Sequence, residues 1–390
     1  METRRSQSPV RLRRALNDVP TYQAGKPAMA DSSGRRGYKV SANENPYPPL
    51  PSVLETIRQA AAAVNRYPDA SVSRLRGALA DVLEVPVEHV ATGTGSVGIL
   101  GQIMQATCDP HDEVIYAWRS FEAYPIVTRL AGARPVPVAL DDDARHRLNT
   151  MAAAITPRTR AVLLCTPNNP TGPAIGHAEL EDFLDLVPCE VLVVVDEAYA
   201  EFVSDPTAAD SLALYRDRPN LVVLRTFSKA YGLAGLRVGY AVAHEPVAAA
   251  LRKTAVTFGV NSLAEAAAVA SLGARDELKR RVDALVAERT RVINGLRTLG
   301  WRLPDSQGNF VWLPLGAASK QFSIHANHVG LTVRQFGDEG VRVTIGETKA
   351  NDLLLQAACS FPLASSDEPA VLVSGSAAPT VGAATKDRSG

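Results

Sequence analysis

Three short segments put polar groups at the ends of apolar runs, where side chains of these types could do chemistry. Leu224-Arg-Thr226-Phe-Ser228-Lys229 brings two hydroxyls and an amine together. Such an amine can attack a carbonyl carbon and later carry a proton. Val191-Leu-Val-Val-Val-Asp196-Glu-Ala-Tyr199 sets a carboxyl directly after an apolar run, with a phenol close behind. Leu163-Leu-Cys-Thr-Pro-Asn168-Asn169-Pro-Thr-Gly172 ends in a polar Asn-Pro turn. Taken singly, each has an ordinary structural use: a helix N-cap, a solvated Ser-Lys pair, a turn. It is their joint occurrence, each at the end of an apolar run, that points to a site. Ala91-Thr-Gly-Thr-Gly95-Ser96-Val97 adds a glycine-bearing turn that runs into a helix. The free N–H groups and dipole of a helix start suit an anion.

The elements that must position these groups alternate along the chain. Strands are expected at Glu113–Ala117, Ala161–Cys165, Val191–Asp196, Leu221–Thr226 and Val238–Ala243, most of them apolar on both faces. Helical patterns intervene at Leu75–Leu83, Ser96–Thr107 and Ala178–Leu186. This alternation predicts an α/β fold with a doubly wound sheet, whose strand ends form a crevice. From about Asn261 the texture changes to long Ala-, Leu- and Arg-rich helices, then short strands at Asn309–Leu313, Leu331–Arg334 and Val341–Ile345. The expected organisation is a flexible arm over 1–18 and an N-terminal segment of a small domain over 19–65. A large domain then spans 66–270, the rest of a small α+β domain 271–361, and a disordered tail 362–390.

Composition removes other classes. Lysine plus arginine and aspartate plus glutamate balance at 41 each, so no basic surplus argues for nucleic acid or an anionic membrane. No apolar run is long enough to span a bilayer, and none follows the N-terminal arginines as a secretory signal would need. The four cysteines lack CxxC spacing and read as reduced thiols of a cytoplasmic protein. His325 and His328 could share a helix face but lack acidic or thiol companions, so no metal is expected.

Taken together, Asn43-Glu-Asn-Pro, Asn65-Arg-Tyr-Pro-Asp69, Asn168-Asn-Pro-Thr-Gly172, Asp196-Glu-Ala-Tyr199, Ser228-Lys-Ala-Tyr-Gly-Leu-Ala-Gly-Leu-Arg237 and Val341-Arg-Val-Thr-Ile-Gly346 resemble the fold-type I aminotransferases that use pyridoxal 5'-phosphate, and within them the histidinol-phosphate aminotransferase subfamily. The resemblance runs from about Leu16 to Phe361. It implies a large cofactor-binding domain with a mostly parallel sheet and a smaller α+β domain. It further implies that Lys229 holds the cofactor as a Schiff base and shuttles a proton. Asp196 would keep the ring nitrogen protonated, and Tyr199 and Asn169 would bind the phenolic oxygen. Thr226, Ser228, Arg237 and the N–H groups of Gly95, Ser96 and Val97 would bind the phosphate, with Phe121 stacked on the ring. Tyr67 would reach the phosphate of a neighbouring subunit, implying a homodimer with shared sites. Arg342, Arg334, Tyr22 and Asn43 would contact the substrate, the arginines gripping a carboxylate.

Within the subfamily, Trp118-Arg-Ser-Phe-Glu-Ala-Tyr124, Leu224–Tyr231 and Asn309-Phe-Val-Trp-Leu-Pro-Leu-Gly316 look closer to the actinobacterial aromatic (phenylalanine-type) enzymes than to those of histidine biosynthesis. The expected reaction passes the amino group of an aromatic L-amino acid to a 2-oxo acid such as 2-oxoglutarate. The alternatives are histidinol phosphate as donor and a specialised-metabolism donor, the latter because Tyr47 is followed by Pro48 and Asp31–Gly37 adds length before the pocket. A lyase or decarboxylase of the same fold is the rival reaction class. A cofactor-sensing regulator would need a DNA-binding domain for which the N-terminal arm has no room.

Overall fold

A run such as Leu192-Val-Val-Val-Asp196, apolar at successive positions, needs cover on both faces. The computed structural model, which describes residues 10–22, 25, 27–28 and 37–362, provides it. Val193 and Val195 enter one apolar core and Val194 the other, and neighbouring strands alternate in the same way.

The strands in chain order are β1 (Tyr38–Lys39), β2 (Val90–Gly93), β3 (Glu113–Trp118), β4 (Arg134–Ala139), β5 (Thr159–Cys165), β6 (Leu192–Asp196), β7 (Leu221–Thr226), β8 (Gly239–Val242), β9 (Phe310–Leu313), β10 (Leu331–Thr332), β11 (Arg334–Phe336) and β12 (Gly340–Thr344). Seven of them form one sheet in the order β2-β8-β7-β6-β5-β3-β4. Strand β8 is antiparallel to both neighbours, and the other pairs are parallel. The carboxyl ends of β2, β3, β5, β6 and β7 therefore open on the same side, where loops can converge.

Two strands of this sheet escape sequence patterning. β4 (Arg-Pro-Val-Pro-Val-Ala) carries two prolines, which a sheet edge tolerates because no ladder donor is needed on the outer side. β2 is a four-residue Val-Ala-Thr-Gly run, too short to show a period. The strand expected at Leu331–Arg334 divides in two. Leu331–Thr332 pairs in parallel with β1, while Arg334 begins β11, which is antiparallel to β12.

A smaller antiparallel sheet has the order β11-β12-β9. The N-terminal segment is stitched to it and to β10, since Thr344 N–H of β12 donates to Val40 O at 2.9 Å and Val40 N–H to Thr332 O of β10 at 3.0 Å. Next along the chain, the helix Pro51–Ala61 packs on the helix Ser262–Gly273. Of the expected arm, residues 1–9 lie outside the described residues. Arg13 donates from Nη1 to Leu130 O at 2.8 Å. From residue 363 the expected tail also lies outside them. Among the described residues no helix is long and apolar enough to cross a membrane, and no group of His, Cys, Asp or Glu is placed to hold a metal.

One ion pair locks the two central strands at their functional ends. Arg225 in β7 donates from Nε to Glu197 Oε2 at 2.8 Å, with side chains 19% and 5% exposed. Glu197 directly follows Asp196, and its N–H donates to Leu224 O at 2.8 Å. Removing one partner of a buried pair strands the other charge, at a cost of about 3 kcal/mol. Arg225→Met should lower the midpoint of urea unfolding accordingly, and an unchanged midpoint would show that the pair does not hold these strands.

Candidate active site

The site begins with the ends of the central strands. Past β7 the backbone turns tightly, with Ser228 N–H donating to Thr226 Oγ1 at 3.1 Å and Gly232 N–H to Lys229 O at 3.1 Å. The N-terminal segment clamps this turn from the other lobe. Asn45 Nδ2 donates to Ala230 O at 2.8 Å, and Lys229 Nζ donates to Ala42 O at 3.2 Å. Burial, reinforced by the nearby Arg342 guanidinium, pushes the Lys229 amine down to about 7. At neutral pH a substantial share of it is therefore an uncharged nucleophile.

At the end of β6, Asp196 falls on the same sheet face as Val194, toward the helix Ala123–Ala131. Tyr124 from that helix donates its hydroxyl to Asp196 Oδ2 at 2.9 Å. The other oxygen, Oδ1, is buried without a partner. Burial raises this carboxyl to about 6. A buried acceptor left unpaired is costly, so the position fits a ligand that brings its own N–H or positive charge.

An anion cradle lies where β2 meets the helix Gly95–Thr107. Arg237 Nη1 approaches Ser228 Oγ at 3.3 Å and donates to Ala234 O at 2.8 Å. Gly95 sits at φ +78°, where any side chain strains the backbone, and a Cβ there would come within 2.6 Å of Arg237 Nη2 and push the guanidinium aside. Hydroxyls, a guanidinium and a helix start around one spot suit a phosphate monoester.

Opposite this cradle, Arg342 is buried, and burial lowers its affinity for its proton. Its Nη1 donates to Asn169 Oδ1 at 2.5 Å and its Nη2 to Ser41 O at 2.7 Å, while Nε is buried and unpaired. All these contacts are neutral, so the guanidinium keeps its charge for an incoming carboxylate.

A cavity of about 220 Å³ brings together Lys229, Asp196, Tyr199, Asn169, Phe121, Ser96, Val97, Thr226, Ser228, Arg237, Arg342, Arg334 and Tyr22. Three expected site residues lie outside its lining. Gly95 stands just behind Ser96. Asn43 is fully buried behind Tyr199, donating from Nδ2 to the tyrosine oxygen at 2.9 Å, and Thr344 Oγ1 donates to its Oδ1 at 3.0 Å. It orients the phenol rather than facing the cavity. Tyr67 is 84% exposed and stacks on Phe258 with ring centroids 4.7 Å apart.

Sequence reasoning assigned no role to Tyr124, Ser120 or Glu122. Tyr124 had a signal: three residues past Phe121 it can turn to the same region, and the two rings meet edge to face at 5.7 Å. Ser120 Oγ donates to Asn168 Oδ1 at 2.7 Å, which ties the loops after β3 and β5 together. Asn168 thus braces the turn, and Asn169 meets the cavity. Glu122 accepts from Arg334, a contact across the two lobes that adjacency in sequence does not announce.

Residues 36–357 match the family described as aminotransferase class I and II. A protein of Streptomyces coelicolor named aromatic amino acid aminotransferase is 58% identical over 356 residues, covering 91% of this chain and 99% of its own. One of the same name from Thermobifida fusca is 52% identical, with 91% and 98% covered. Among solved structures, the histidinol-phosphate aminotransferase of Sinorhizobium meliloti in complex with pyridoxal-5'-phosphate superposes with a TM-score of 0.80. It is 29% identical and covers 91% of this chain and 98% of its own.

The depressed Lys229 amine gives a direct pH test on protein freed of any ligand. Capture of a small aldehyde at Lys229, fixed by borohydride and followed by mass spectrometry, should rise with pH as the amine loses its proton. Half of the plateau is expected near pH 7. A curve still climbing steeply above pH 9 would mean that the amine is not perturbed.

Proposed function

Because the chain belongs to the class I and II aminotransferases, we propose that it passes the amino group of an aromatic L-amino acid to a 2-oxo acid such as 2-oxoglutarate, using pyridoxal 5'-phosphate. The observation that carries this reading is the convergence of Lys229, the half-satisfied Asp196 carboxyl and the unneutralised Arg342 guanidinium in one cavity. When bound, the cofactor supplies an electron sink that acidifies the substrate's α-carbon.

The chain's own residues divide the remaining work. Asp196 Oδ1 would accept the ring N–H and, as an anion, favour its protonated form. Tyr199 and Asn169 would bind the phenolic oxygen, and Asn43 would hold the Tyr199 hydroxyl in place. Thr226, Ser228, Arg237 and the N–H groups of Ser96 and Val97 would bind the phosphate, with Phe121 against the ring. Arg342 would fix the α-carboxylate and thereby aim the α-hydrogen. Lys229 would take the proton from the α-carbon and return it to the cofactor's exocyclic carbon, a task for which an amine near neutrality is suited. The reading includes a cytoplasmic homodimer in which the exposed Tyr67 reaches across to the partner's phosphate end.

The aromatic donor is supported by the names of the relatives and by Phe336 and Tyr22 around the pocket. A donor screen tests it: Phe, Tyr, Trp, His and histidinol phosphate, each against 2-oxoglutarate, with the keto acid product measured. Phenylalanine or tyrosine should lead, and faster turnover of histidinol phosphate would reverse the assignment. Lys229→Ala should abolish the cofactor's linkage absorbance and lower kcat by at least about 10³-fold. Retained turnover would refute the role of this lysine.

A further inference from the structure

The surroundings of the Asp196 carboxyl are neutral where a cation could have stood. A lysine or arginine in contact would pair with the carboxylate and cancel its charge. Instead Tyr124, fully buried in the helix Ala123–Ala131, donates its hydroxyl to Oδ2 at 2.9 Å. Burial holds this phenol well above its usual range, so it donates and stays un-ionised. Cys165 is the neighbour of Asp196 in register on β5, and burial pushes its thiol up to about 12, which keeps it neutral too. Glu197, the next residue, pairs with Arg225. Lys229 enters the same cavity but bonds the Ala42 carbonyl. The Tyr124 ring is fixed where it stands, edge to face on Phe121 at 5.7 Å and tilted against Tyr116 at 5.9 Å.

A hydrogen bond from a neutral donor favours a carboxylate over a carboxyl without cancelling its charge. Burial raises Asp196 to about 6, and the Tyr124 hydroxyl is foremost among the influences that oppose this rise, ahead of the backbone at Ala198 and the Lys229 charge. The neighbouring Glu197 charge adds to the rise.

We propose that Tyr124 is a positioning residue for a proton: its bond to Oδ2 loosens the hold of Asp196 on that proton, so that at Oδ1 the proton rests on a bound ring nitrogen and not on the carboxyl. The inference rests on the cofactor reading and deepens it. With Tyr124 in place, Oδ1 is an anionic acceptor, and the ring keeps the positive charge that an electron sink requires. Without it, Asp196 can keep the proton and meet the ring as a neutral donor, which leaves the nitrogen uncharged. Tyr124 does not line the cavity, so it acts through Asp196 alone.

Two measurements on the full-length chain test this. In cofactor-free protein, the isotopically labelled Asp196 γ-carbon, assigned by its loss in Asp196→Asn, is titrated by NMR. In the holoenzyme, cofactor labelled at its ring nitrogen reports the proton through that nitrogen's chemical shift. Tyr124→Phe removes one oxygen and keeps the ring contacts, so the fold should persist. Tyr124→fluorotyrosine, with fluorine on the ring, retains the hydroxyl as a stronger donor. The proton affinity of Asp196 should rise about tenfold or more in Tyr124→Phe and fall about twofold in the fluorinated variant. The nitrogen signal should move toward its unprotonated position in Tyr124→Phe alone. An affinity within about twofold of the parent in Tyr124→Phe, a shift of both variants in one direction as disturbed packing would give, or an unmoved nitrogen signal would overturn the proposal. A chain that retains no cofactor would defeat the functional reading, and the carbon titration would still decide whether Tyr124 governs Asp196.

Discussion

An ionised group inside a protein is costly unless it is paired, yet Asp196, Lys229 and Arg342 share one cavity with no ion pair among them. Their partners are a phenol, two backbone carbonyls and an amide oxygen. The cost appears as opposed shifts, the carboxyl rising to about 6 and the amine falling to about 7. Both groups are predominantly charged only in the narrow interval between those values. The folded carboxyl holds its proton more tightly than the unfolded one between about 4 and 6, and the folded amine less tightly between about 7 and 10.5. The carboxyl's contribution to stability therefore falls as pH rises through its window, while the amine's penalty fades as pH rises through its own. A cationic ring beside Asp196 and an anion at Arg342 would each favour the charged form of its neighbour.

The scaffold's task is to keep these groups apart yet facing one space. Asp196 ends β6 and Lys229 sits in the tight turn just past the adjacent parallel strand β7, so the ladder and that turn together set their spacing. The Arg225–Glu197 pair and the Glu197 N–H bond hold those strand ends together just outside the cavity. Arg342 comes from a different sheet, so its distance from Lys229 depends on how the lobes meet. The segment Ser41–Asn45 bridges that seam, touching Arg342, Lys229, Ala230 and Tyr199 through four successive contacts. Its Asn43 adopts a φ of 53°, a conformation open to asparagine at modest cost. That short stretch is where the two halves of the site are registered.

The strands of the sheet's middle were legible because burial on both faces leaves uninterrupted apolar runs, as in Val191–Val195 and Leu221–Leu224. The proline-bearing edge strand β4 and the four-residue β2 were not, since neither has a periodic pattern. Residues that follow an apolar run, such as Asp196 and Lys229, could be picked out because the fold places strand ends at a crevice. Asn43 was expected at the substrate instead of at the Tyr199 hydroxyl, and Tyr124 was given no role, because each acts through a residue more than seventy positions away. Long-range pairing of that kind is decided by tertiary packing, and nothing local in the sequence encodes it.

Fold similarity settles the scaffold and not the donor. The backbone superposes on a protein named for histidinol phosphate, and also on Thermus thermophilus aspartate aminotransferase with maleate, with a TM-score of 0.74 at 24% identity. Proteins named for different donors thus share this sheet, and it cannot be what chooses among them. Selection has to reside where the elements approach the donor's side chain. Here these are the loop after β3, which carries Glu122, and β11, which carries Arg334 and Phe336. Both sit at the margins of their sheets, one past a strand end and the other on a short edge strand. Donor choice then rests on the side chains carried at these two places, laid over a shared sheet.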